Sequence, residues 1–146
     1  MSASNAFETS LLQLILQNAA LAGIGDAGGL QPSAAAGSLY IGLHTADPGE
    51  AGDQTTSEAT YTSYARVAVA RSGAGFTVAG NNGSNTGAVT FPAATGGTDA
   101  ITHFSVGTDA AGAGNLLLSG ALTATLNVST GIAPNFNAGE LDINVD

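Results

Sequence analysis

The chain has no cysteine, no tryptophan and no lysine. The missing cysteine rules out disulfides and thiolate metal centres and leaves the redox compartment open. Two arginines, Arg66 and Arg71, stand against eleven acidic residues, for a formal charge of −9. A nucleic-acid site commonly neutralises about six to ten phosphates, which two cations cannot do, so neither nucleic acid nor an anionic membrane is an expected partner. No apolar run approaches the roughly 18 residues of a membrane span. Aromatic residues make up 5% of the chain while glycine alone numbers 21, with alanine, serine and threonine in excess. Small apolar side chains each remove little area from water, at about 25 cal/mol per Å². The core is therefore expected to be thin, with a partner surface supplying part of the stability. Charged residues are only 9% of the total, too few for a disordered acidic tail, so the chain should fold.

At 146 residues the length is that of one domain, read as a helix over 5–22, a Gly-rich connector over 23–37 and a β-sandwich over 38–146. Asn5 with Glu8 three residues later reads as a capping box, and good helix formers follow. No cation precedes LLQLILQNAALAG, and Gln13, Gln17 and Asn18 interrupt it, so it reads as this helix rather than as a signal-peptide core. Phe7, Leu11, Leu14 and Ile15 share one side, with Leu12 and Leu16 widening the apolar arc, which implies burial on more than one side. From Ser38 the period changes to two: Leu39, Ile41 and Leu43; the residues from Tyr64 to Arg71; Phe76 and Val78; Val89 and Phe91; Thr102, Phe104 and Val106; Leu122 to Val128; Leu141 to Val145. Clusters such as AGNNGSN and GTDAAGAGN lie between them as turns. The expected fold class is mainly β, an antiparallel β-sandwich or jelly-roll-like sheet pair with one N-terminal α-helix.

Candidate chemistry is sparse. Gly23, Gly25 and Gly28 satisfy G-x-G-x-x-G, but they follow a helix instead of a strand, so they read as a helix stop and not as a dinucleotide loop. Asp47, Glu50, Asp53 and Glu58 lie in DPGEAGDQTTSE without the alternating ligand spacing of a calcium loop, and read as a solvated surface turn. His44 and His103 are the two histidines. With no G-x-S-x-G elbow and no further zinc ligands, they read as polar-face or strand-edge residues. No catalytic residue, metal ligand or cofactor is expected, and the chain is not read as an enzyme. Arg66 and Arg71 are each expected to find a carboxylate. Both are candidates for an interface, with Phe7, Leu11 and Ile15 on the helix and Tyr40, Tyr61 and Tyr64 as amphipathic aromatics.

The strings LYIGLHTADPGEAGDQTTSEATYTSYARVAVAR, AVTFPAATGG, ITHFSVGT and LLLSGALTATLNVSTGIAPNFNAGELDI together resemble a family of small virion proteins of tailed bacteriophages and prophages. The resemblance runs from about Phe7 to Val145. Similar proteins are described as capsid decoration (cement), minor virion or tail fibre-like proteins. The resemblance implies a virion structural protein assembled in the host cytoplasm. The expected role is a homotrimer on the capsid surface that binds the major capsid protein and stabilises the head. The alternative it implies is a tail fibre-like or tail-tip protein that meets a host glycan.

Overall fold

The computed structural model describes residues 2–145. The chain is mainly β with one helix, as expected: α1 (Asn5–Gln17), β1 (Ser38–His44), β2 (Val67–Ala70), β3 (Phe76–Ala79), β4 (Asn82–Asn85), β5 (Val89–Thr90), β6 (Asp99–Gly107), β7 (Leu116–Val128), β8 (Asn135–Phe136) and β9 (Asp142–Asn144). The pairings β1–β6, β6–β7, β3–β4, β4–β9 and β5–β8 are antiparallel. The residues gather into two compact units. One holds the chain up to Ser38, Ala70–Ala88 and the chain from Asn137 onward; the other holds Leu39–Val69 and Val89–Phe136.

In the first unit, α1 lies on a three-stranded sheet of order β3-β4-β9. Ser4 caps it, with its hydroxyl accepting from the Phe7 amide, so the cap falls one residue before the expected Asn5. The helix also ends at Gln17 and not at 22, because Asn18 turns left-handed at φ 55° and closes the last turn. Leu12 and Leu16 are fully buried with Phe76 and Leu141. Leu16 fits because Gly83 has no side chain: a Cβ there would stand 2.5 Å from Leu16 Cδ1. Gln17 donates to the Phe76 carbonyl (2.8 Å). The helix carries no basic residue in its last turn, and Arg71 supplies that charge from elsewhere in the unit, donating to the carbonyls of Leu14 and Ile15 and to the side chains of Asn18 and Ser33. Cations belong at a helix C-terminus, where unpaired carbonyls gather negative charge. Arg71 thus meets carbonyls where a carboxylate was expected.

The connector after the helix is more ordered than its composition suggests. Leu21 and Leu30 exchange backbone hydrogen bonds at 2.9 Å. Asp26 closes the loop between them by accepting from the Gly28 and Gly29 amides. The run AGNNGSN, read as a turn, contributes a strand instead. Gly80, at φ 63°, turns the two-residue β3–β4 hairpin, and NGSN becomes the central strand β4. Asn85 is buried there: its amide donates to the carbonyls of Gly87 and Asn137 and its oxygen accepts from the Leu141 amide.

In the second unit the sheet order is β2-β1-β6-β7. Leu39, Ile41 and Leu43 are buried as their alternation predicts, but so are Gly42 and His44 on the opposite face. β1 is therefore covered on both sides. The strand expected from Tyr64 to Arg71 is shorter, because YTSY is a turn: Tyr64 donates to the Tyr61 carbonyl and Ser63 takes φ 81°. β7 begins six residues before the expected Leu122. A bulge opposite Thr102 interrupts its pairing with β6, the register passing from Ile101↔Leu126 to His103↔Ala121. The small β5–β8 ribbon pairs Val89 with Phe136.

Leu16→Ala should lower stability by about 2–5 kcal/mol, the usual cost of emptying a fully buried leucine site. Urea denaturation of the purified chain measures this directly.

Candidate functional site

Arg66 is the most heavily bonded charge in the second unit. It sits immediately before β2, with its side chain 2% exposed against 16% for its partner Glu58. Nε donates to Glu58 Oε1 (2.6 Å) and Nη2 to Oε2 (2.8 Å), the two-pronged geometry that a planar guanidinium makes with a carboxylate. The remaining donors reach the carbonyls of Asp109 (2.9 Å) and Gly112 (2.8 Å) in the β6–β7 hairpin. Burial disfavours the guanidinium's charge, but Glu58 outweighs it and moves the pKa up from the ordinary value. Tyr64 donates to Glu58 Oε1 (3.0 Å) and accepts from the Leu43 amide (3.0 Å). A cleft of about 220 Å³ opens over this group, lined by Glu58, Tyr64, Arg66 and Ala110 to Gly112.

His44 lies close by, wholly buried. Its Nδ1 is 2.8 Å from the Thr56 carbonyl and its Nε2 is 2.7 Å from Ser105 Oγ. A carbonyl only accepts, so Nδ1 carries the proton of the neutral ring and Nε2 accepts from the serine hydroxyl. The β1–β6 register makes this contact possible: Ser105 stands opposite Gly42, and a Cβ on Gly42 would come within 2.8 Å of the serine oxygen. A serine on a histidine whose other nitrogen is held by an acceptor has the form of an activated nucleophile, but both residues are 0% exposed. No substrate reaches them, and the pair acts as a polar cross-link between β1 and β6. Neither the burial of His44 nor its serine partner was legible in LHTAD. His103 is half-buried on β6, with Nδ1 2.9 Å from Thr102 Oγ1.

The acidic loop is built by its own side chains. Asp47 accepts from the Gly49 amide. Asp53 accepts from the amide and hydroxyl of Thr55, and these bonds hold its carboxyl below the usual range. Gln54, which had no visible signal in the sequence, is the loop's anchor. It is fully buried, accepts from the amides of Thr108 and Asp109, and donates to the Asp109 carbonyl. Among the described residues no group of three or more His, Asp or Glu side chains could hold a metal ion.

The tyrosines divide. Tyr61 is buried and donates to the Pro92 carbonyl (3.1 Å). Burial, with Asp99 nearby, pushes its hydroxyl up to about 12. Its ring meets Tyr64 edge-on at 5.4 Å, and Tyr64 stacks on Phe91. Asp99 pins the start of this turn by accepting from the amides of Thr60 and Tyr61. Tyr40 is half-buried on β1. On the helix, Phe7 is exposed and Leu11 and Ile15 are half-buried.

A family model described as "Gp80: Podophage GP4 fiber I protein gp80" matches residues 2–144. No curated protein shows a significant match. The chain belongs to that podophage fibre family and is a structural protein of the tailed-phage virion class.

Two outcomes are expected. Arg66→Met alone should cost about 3 kcal/mol or more, because it strands Glu58, whereas Arg66→Met with Glu58→Met should recover much of that loss; a double-mutant cycle in urea reads the difference. Burial lowers the pKa of His44 below its ordinary 6.5, against the raising effects of the Thr56 carbonyl and Glu58. The unfolded chain therefore binds the extra proton first, and stability present above about pH 6.5 declines as pH falls below it. Melting curves from pH 8 down to about pH 5 should show this decline, and His44→Gln should flatten it.

Proposed function

We propose that the chain is a fibre-type building block of a podophage particle, working through protein contacts and not through catalysis. The observation that carries this reading is where the chain spends its few reactive and cationic groups. Arg66, Arg71, His44 and Ser105 are all engaged in ties inside the fold. What the chain offers to solvent is acidic turns and strands that carry few charges, which suit assembly with other proteins. These residues supply one module of an appendage. Homo-oligomerisation, as a trimer, would suit the half-exposed flank of α1 at Phe7, Leu11 and Ile15. Contact with a host glycan belongs to the same reading if the module sits at a tip.

The second reading is a decoration protein bound to the major capsid protein on the capsid surface. Its support is the mainly β fold, a form that suits a subunit repeated over an icosahedral head.

Gold-labelled antibody on intact virions, combined with gel densitometry against the major capsid protein, separates the two. The fibre reading expects label on appendages at tens of copies or fewer; label over the head at hundreds of copies overturns it in favour of decoration.

A further inference from the structure

β7 is the last strand of its sheet among the described residues, and it runs for 13 residues without lysine, proline or any charge. No charged residue or histidine occurs between Ala110 and Gly139. An uncharged, extended edge presents backbone donors and acceptors to any strand laid beside it, and natural proteins usually blunt such an edge with lysine or proline. The larger irregularity breaks the ladder past Ala121 and a smaller one falls at Leu117, between Val106↔Leu118 and Gly107↔Leu116, so Leu118 to Ala121 form the regular part of the leading half against β6. Beside that half lies an open cleft of about 460 Å³, lined by Leu116, Leu117, Leu118 and Ser119 on one side and by Asp47, Gly49 and Glu50 on the other. Leu117 is 41% exposed.

We propose that this edge and cleft receive an extended basic segment of another virion protein, which adds to β7 as a further strand and places arginine or lysine side chains beside Asp47 and Glu50. The strand's backbone pairs with β7, and alternate side chains fall on the cleft side. Their aliphatic stems cover Leu117 while their charged ends meet the carboxylates. The chain has no free cation among its described residues to pair with those carboxylates, since Arg66 is held by Glu58 and Arg71 by the end of α1. A second copy cannot do so either, because it brings the same two engaged arginines and a further charge of −9. The inference deepens the proposed function and rests on it for the partner's being a virion protein.

The test uses the full chain and a labelled short peptide alternating arginine and threonine, read by fluorescence anisotropy in low salt. The matching glutamate–threonine peptide and an arginine peptide N-methylated at alternate amides serve as probes of charge and backbone pairing. The proposal expects saturable binding of the arginine peptide alone, weakened about fivefold or more by Asp47→Asn with Glu50→Gln and unchanged by Asp26→Asn with Asp142→Asn. It expects binding to be lost when the amides along one edge of the peptide are methylated. Equal binding by both double variants, or by the methylated peptide, would overturn it, since general acidity would then explain the attraction. Sedimentation showing a dimer that Leu117→Lys dissolves would assign the edge to a second copy and also overturn it. A head or appendage location on the virion bears on the proposed function alone, so the two readings fail separately.

Discussion

The second unit depends on one buried ion pair. Arg66 has a single carboxylate partner, Glu58, and uses its remaining donors on the carbonyls of Asp109 and Gly112. The long loop before β2 and the β6–β7 hairpin are thereby tied to the same guanidinium. Such a pair adds little net stability compared with apolar residues of the same shape, because two charges leave water to form it. Its effect is on which loops meet. Gln54 repeats the arrangement without charge, filling the hairpin from the other side of the loop. Gly107 and Gly114 are bare where they face it: any side chain there would run into the glutamine.

Arg71 does comparable work in the first unit, at the C-terminal end of α1. With no lysine in the chain, both long cations go to internal ties, and the surface is left acidic. This supports a division of labour in which the fold is held by a few specific polar contacts while the exposed turns and edges are free to meet other proteins. A formal charge of −9 also makes separate copies of the chain repel one another.

Much of the architecture was legible from periodicity. The alternation of Leu39, Ile41 and Leu43 marks β1, and Thr102, Phe104 and Val106 mark β6. The helix was clear in its start and centre, with its cap one residue early and its C-terminal end five residues short of the expected 22. Ser4 and Asn5 are equally good caps by type, and an αL turn at Asn18 carries no glycine to announce it. β4 was hidden because NGSN has turn composition; it is a strand because β3 and β9 pair with both of its edges and Leu16 needs a residue without a side chain at Gly83. The strand expected from Tyr64 to Arg71 failed in the opposite direction: it starts only at Val67, because Tyr64 closes a turn in which Ser63 takes a positive φ. The candidate site was legible by residue type alone: Arg66 and Glu58 were both noticed, but Glu58 only as one acid in a loop, and Ser105 and Gln54 carried no signal.

The sequence by itself determined the class of the protein: mainly β, acidic, without thiol chemistry, of a tailed-phage virion family. Those conclusions follow from composition, period and whole-chain motif order, which are properties of the chain read in one dimension. Only the tertiary structure decided that His44 is sealed against Ser105, that Arg71 serves a helix end, and that the start of β7 lies open beside Asp47 and Glu50. The reason is physical: a polar side chain's role is set by which desolvated partner lies within about 3 Å, and those partners stand tens of residues away along the chain.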